Sequence, residues 1–198
     1  MDLIKKNFTE SIDIKKEILS SDVTKSLISM GESIVSAVRN GNKVIFCGNG
    51  GSAADSQHLA AEMLIRLKSE NNREGIPAIA LAQDTSTITA CGNDYGFDYL
   101  YQRLIETLGN KGDILIAIST SGNSNNIIRA IKAANLKEIK AFGFFGNGGG
   151  KAISFCDESF VVPSSNTARI QESHITAGHA LVEFVENKLI DIHFLNLK

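Results

Sequence analysis

The chain is poor in the features that mark several common protein classes. Its 198 residues include only three cysteines, Cys47, Cys91 and Cys156, far apart and without C-x-x-C spacing. That argues against a disulfide framework and a thiolate zinc site, and it fits a reducing cytoplasm. Neither charge is in surplus: 20 Lys plus Arg against 22 Asp plus Glu leave a net charge of −2. A general nucleic-acid binder needs basic residues to neutralise phosphates, so no nucleic-acid partner is expected. No apolar run approaches the roughly 20 residues that cross a bilayer. The opening "MDLIKKNFTESIDIKKEI" is charged throughout, unlike a signal peptide. No membrane association is expected, and the cytoplasm is the expected location. Prolines number two, and no repeat, low-complexity tract or linker marks a boundary, so 1–198 reads as one domain. What the chain does hold is 43% hydrophobic residues, enough for a core, and 17 glycines that cluster.

Residues 2–40 contain one glycine, Gly31, and no proline, with apolar residues at helical intervals from Leu3, Ile4 and Phe8 to Ile34, Val35 and Val38. The spacing predicts two helices that break near residues 20–22, where Asp22 or Ser21 can cap the second. Gly41-Asn42 reads as a left-handed end to the pair. From there short apolar runs, at 43–48, 76–81, 113–119, 139–146 and 159–164, alternate with helical stretches. The helices are expected at 52–67, 84–91, 97–109, 125–137 and 167–192. Continuous apolar strands separated by helices indicate a parallel sheet covered on both faces. Right-handed crossovers then give an α/β three-layer sandwich behind an N-terminal helical hairpin.

Two loops share one grammar: an apolar strand, small residues, then a helix start. They are "CGNGGSAAD" (47–55) and "STSGNS" (119–124). Glycines let such turns bring successive N–H groups close to an anion, and the following helix adds its positive end. Both loops leave the carboxyl ends of strands, where α/β sheets bind ligands. The plainer reading makes Ser52 and Ser124 simple N-caps and the glycines ordinary turns. Neither loop reads G-x-G-x-x-G with a suitably placed acid, nor ends in G-K-S/T, so dinucleotide binding and ATP hydrolysis are poorly supported. An uncharged phosphate loop suits a sugar phosphate. A third stretch, "GNGGG" (146–150), imitates the first but leads into a weak helix and reads as a structural turn.

His58 and Glu62 lie four residues apart on the helix after the first loop and share a face. They suit a metal ligand and a ligand or general base. The other reading is a surface stripe in which Glu62 pairs with Arg66. The last helix carries Gln171, Glu172, His174 and His179; either histidine could equally be a half-buried packing residue. His193 reads as solvated.

Together "GNGGSAADSQHLAAE", "ITACGNDYGFDYLYQRLI", "ISTSGNSNNIIRAI" and "TARIQESHITAGHALVE" resemble the sedoheptulose-7-phosphate (phosphoheptose) isomerases of the sugar-isomerase (SIS) domain family. The resemblance spans essentially the whole chain. It implies a five-stranded parallel sheet of flavodoxin-like order and a homotetramer with the helices of 1–40 packed in its core. It also implies conversion of sedoheptulose 7-phosphate, a phosphorylated seven-carbon sugar, to D-glycero-D-manno-heptose 7-phosphate for bacterial surface heptose. Carried over by motif, Ser119, Thr120, Ser121 and Ser124 would hold the phosphate. Asn49, Gly50, Gly51 and Ser52 would line the substrate, with Asn93 and Asp94 on its hydroxyls and Glu62 and Gln171 also touching it. His58, Glu62, Gln171 and His179 match the family's zinc ligands, one ion per subunit, and Glu62 and His179 its acid/base pair. Such a nitrogen and oxygen set suits zinc without excluding other divalent metals. Some members carry Asp where this chain has Ala168.

The competing reading is a non-catalytic SIS protein that binds a sugar phosphate or a protein, resembling the DnaA-binding SIS proteins. The presence of both Glu62 and His179 favours the enzyme. One spacing stands out: Gln171 and His179 are eight residues apart, about 12 Å of rise and roughly 80° of rotation on a straight helix. That predicts either a distorted first turn or ligands drawn from more than one subunit. Apolar stripes in excess of what one sandwich needs favour the latter.

Overall fold

The computed structural model describes residues 2–81 and 83–197. The apolar spacing at the N-terminus forms α1 (Leu3–Ser20) and α2 (Val23–Arg39), broken at Ser21-Asp22. Of the two capping candidates, Ser21 acts: its Oγ accepts from the Val23 N–H at 3.3 Å, while Asp22 makes no cap bond. Gly41 follows at φ +80°, the left-handed conformation that ends the helix and that a side chain would resist.

Five strands follow: β1 (Val44–Gly48), β2 (Ala78–Ala80), β3 (Ile114–Ser119), β4 (Lys140–Gly146) and β5 (Glu158–Val162). All neighbours pair in parallel, in the order β2-β1-β3-β4-β5. The connecting helices are α3 (Gly51–Leu64), α4 (Thr85–Asp94), α5 (Leu100–Leu108) and α6 (Asn125–Leu136), and α7 (Thr167–Asp191) ends the fold. This is the expected three-layer sandwich with flavodoxin-like order.

Strand alternation divides the core. Val44, Phe46, Ile116 and Phe144 face α1, α2, α3 and α7, whereas Ile45, Cys47, Leu115 and Phe145 face α5 and α6. Burial on both faces explains why the strands read as unbroken apolar runs. The helix expected at 52–67 stops at Leu64 because the chain turns back onto its end. Arg73 donates to the carbonyls of Glu62 and Met63, each at 3.0 Å, and pairs with buried Glu186 at 2.6 Å. The helix expected at 97–109 divides into a short 3-10 turn at Phe97–Tyr99 and α5. Among the described residues, no helix is long and apolar enough to cross a membrane.

Candidate active site

The two small-residue loops stand side by side because their strands, β1 and β3, are neighbours in the sheet. The chain passes from β1 out to β2 and returns to β3, so the loops flank the topological switch point where such sheets bind ligands. Neither serine is a plain cap. The N-cap of α3 is Gly50, at φ +57°, and Ser52 lies buried inside the helix. Ser124 is the N-cap of α6, yet its hydroxyl makes no cap bond and lies 3.4 Å from Ser119 Oγ. Ser119 Oγ accepts from the Gly122 N–H at 3.2 Å, and Ser121 Oγ from the Asn123 N–H at 3.1 Å. The hydroxyls thus shape the loop while Thr120, Ser121 and Ser124 keep access to solvent. Asn49 in the first loop and Asn126 at the start of α6 exchange two amide hydrogen bonds of 2.9 Å, which locks the loops together.

The third stretch is a structural turn, and its task is to brace the second loop. Gly146 N–H donates to the Thr120 carbonyl, Ala152 N–H to that of Gly122, and Lys151 N–H to Asn123 Oδ1. The approach is so close that a Cβ on Gly122, at φ +62°, would lie 1.9 Å from the Gly149 carbonyl oxygen.

Beyond the loops, α3 and α7 bring three metal-ligating side chains together. Their contact is close because Gly178 has no side chain: a Cβ there would lie 2.6 Å from Leu59 Cδ1. The adjacent residues, His58 just before Leu59 and His179 just after Gly178, therefore meet, with their Nε2 atoms 2.8 Å apart. Glu62 Oε1 lies 3.5 Å from His58 Nε2. The ligand atoms of His58, Glu62 and His179 all fall within 4.8 Å of one another. Two imidazole nitrogens and one carboxylate oxygen converging in this way fit a divalent cation such as zinc. The pairing of Glu62 with Arg66 is not formed; Arg66 donates to the Ser69 carbonyl instead. One chain thus brings these three together, whereas the spacing of Gln171 from His179 concerns a residue outside the trio.

The other expected site residues are placed more loosely. Gln171 rests its side-chain amide against Gly51 at the start of α3, where a Cβ would lie 2.4 Å from Gln171 Nε2. His58 and Glu62 stand on later turns of that helix. Asn93 donates to Asp94 at 2.8 Å at the end of α4. A cavity of about 580 Å³ lies between β2, α4 and α5, and Asp94 is the single expected site residue among those that line it. Ala168 sits exposed in the first turn of α7, its N–H bonded to the Asn166 cap. His174 is a packing residue, buried between Phe144 and Phe160 with Nε2 3.0 Å from the Phe145 carbonyl. His193 is exposed.

Two residues near the site carry no mark in the sequence reading. Asn126 follows the second loop and looks like any polar helix residue until its partner Asn49 is in place. Asp55, one turn before His58, has an oxygen, Oδ2, that is shut off from solvent without a hydrogen bond. Burial raises the pKa of this carboxyl, while the charges of His58 and His179 pull it back down. Its spacing from His58 and Glu62 was the one available signal.

Known proteins match this arrangement along the whole chain. The SIS domain family matches residues 7–153. The phosphoheptose isomerase of Aneurinibacillus thermoaerophilus is 43% identical over 198 residues, 100% of this chain and 99% of that protein. A solved phosphoheptose isomerase from Neisseria gonorrhoeae superposes with a TM-score of 0.86 at 40% identity, covering 93% of this chain and 97% of the other. One from Francisella tularensis superposes at 0.88 with 37% identity, over 93% and 96% of the two chains. Fold, loops and relatives agree that this chain belongs to the SIS-domain family and, within it, to the phosphoheptose isomerases.

Proposed function

We propose that the protein isomerises sedoheptulose 7-phosphate to D-glycero-D-manno-heptose 7-phosphate, for bacterial surface heptose synthesis. The observation that carries this reading is the meeting of His58, Glu62 and His179 beside two uncharged small-residue loops in a chain of this family. A non-catalytic SIS protein needs the loops alone, and the named relatives give that alternative no support.

The reaction moves a proton between C1 and C2 of the sugar through an enediolate, and moves a second proton between the two oxygens. Glu62 takes the C1 proton and returns it at C2. His179 gives and takes the oxygen-bound proton. Ser119, Thr120, Ser121, Ser124 and the N–H groups opening α6 hold the phosphate, without a cationic side chain among them. Asn49, Gly50, Gly51, Ser52 and Gln171 line the sugar, and Asn93 and Asp94 reach its hydroxyls. His58, Glu62, Gln171 and His179 would hold one zinc ion per subunit, which supplies Lewis-acid stabilisation of the oxygen charge that develops.

The assembly is a homotetramer with the 1–40 helices at its core. In support, Leu3, Ile4, Phe8, Ile12 and Leu19 of α1 and Ile28 of α2 are each more than half exposed in the single chain. That is an apolar surface a lone subunit rarely leaves uncovered. Three free cysteines support a cytoplasmic location. One-dimensional NMR of sedoheptulose 7-phosphate with the protein, with and without chelator, tests the reaction. New anomeric signals of an aldose phosphate are expected. Their absence with every ketose phosphate tried would refute the enzymatic reading.

A further inference from the structure

Asp55 stands three residues before His58 and seven before Glu62 on α3, so the three share one face of the helix. Its Oδ2 is secluded from water and accepts no hydrogen bond. A carboxylate oxygen left so is costly, and it is retained where something else offsets the charge. Burial pushes its pKa up on balance, and the two groups that counter this are His58 and His179, which places the carboxyl within electrostatic reach of both. It is not itself a member of the group whose ligand atoms all lie within 4.8 Å.

Charge balance points the same way. Two neutral imidazoles and the uncharged amide of Gln171 bring no charge to a dication, and Glu62 brings a single negative one. One positive charge is left over in a partly buried site. A second carboxylate on the same helix face supplies the missing negative charge. Carboxylates just outside a metal's ligands commonly strengthen the site for its cation.

We infer that Asp55 is a positioning residue of the divalent-cation site: from the same face of α3 as His58 and Glu62 it balances the second charge of the cation, without joining the inner cluster. The inference rests on the cation site proposed above. Its test uses metal-free protein as wild type, Asp55→Asn and Asp55→Ala. Each is titrated with Co(II) against a chromophoric chelator, and the melting temperature of each metal-free form is measured. Both variants are expected to bind Co(II) about 10–100-fold more weakly. Their metal-free forms should melt at or above the wild-type temperature, because an unpaired buried charge has been removed. Asp55→Asn binding within twofold of wild type overturns the role of Asp55 alone. Weaker binding together with lowered melting of both metal-free variants overturns it too, by making the residue structural. A wild type that takes up no Co(II) overturns the cation site and this inference with it.

Discussion

At the scale of single residues, what matters is which polar groups are left free for a ligand and which are already used. The second loop spends the Ser119 hydroxyl on its own backbone, through the Gly122 N–H, and leaves Ser124 with only a long 3.4 Å contact to Ser119 Oγ and no cap bond. Ser121→Ala or Ser124→Ala should therefore raise the apparent KM with little effect on folding. Loss of a hydrogen bond to a charged group costs about 1.5–3 kcal/mol, or roughly ten- to a hundredfold. Wild-type KM in both variants would exclude this loop as the phosphate site. His174 behaves differently. Burial holds its pKa down at about 4, against a bond to the Phe145 carbonyl that favours the charged ring. Its folded-state pKa lies below the unfolded value of 6.5, so the unfolded chain binds the extra proton. Its contribution to stability is complete above pH 6.5 and is lost as pH falls towards 4, by about 2–4 kcal/mol. Urea unfolding of wild type and His174→Leu at pH 7 and pH 4.5 checks this. The variant should lose less stability between the two, and equal losses would refute the assignment.

At the scale of elements, two glycines set the site by close approach, and they differ in what they meet. Gly178 meets the flexible end of Leu59, so Gly178→Ala can be accommodated if α3 and α7 move apart. Overpacking costs about 1–3 kcal/mol, offset by about 1 kcal/mol from the better helix former. The net loss of stability should stay within about 2 kcal/mol, while the separation of His58 from His179 lowers turnover and cation affinity. Unchanged turnover would show that the helix spacing is not critical. Gly122 meets backbone, the Gly149 carbonyl, and sits at positive φ, so nothing can yield cheaply. Gly122→Ala should displace the braced loop and abolish tight binding of inorganic phosphate or sugar phosphate, as isothermal titration would read. Binding at wild-type strength would argue against the bracing. Arg73 acts at the same scale: it satisfies the carbonyls at the end of α3, on the helix that carries Glu62.

At the scale of the whole molecule, the issue is what a single chain completes. His58, Glu62 and His179 meet within one chain, while Leu3, Ile4, Phe8, Ile12 and Leu19 of α1 remain uncovered. Sedimentation should show a tetramer for the wild type, and Phe8→Asp should shift it to smaller species. Glu62→Gln and His179→Ala chains, both inactive alone, should stay inactive after mixing and reassembly, because no chain in the mixture holds both groups. Recovery of activity on mixing would instead place the pair across a subunit boundary.

The sequence by itself determined the layer architecture, because strands buried on both faces must be apolar throughout and helices between them must cover the sheet. It also made the two loops legible, since small residues between an apolar strand and a helix start have a local signature. Likewise His58 and Glu62 could be placed on one face by counting along a helix. Only the tertiary structure decided the rest. The pairing of His58 with His179, 121 residues apart in sequence, depends on α3 and α7 meeting at Gly178 and Leu59, which no local pattern encodes. The Asn49–Asn126 lock and the seclusion of Asp55 are likewise products of packing. Helix ends moved for the same reason: α3 stops at Leu64 because Arg73, from a later loop, takes up its free carbonyls. Local chemistry specifies elements and turns, whereas the convergence of polar groups is set by where buried surfaces interlock.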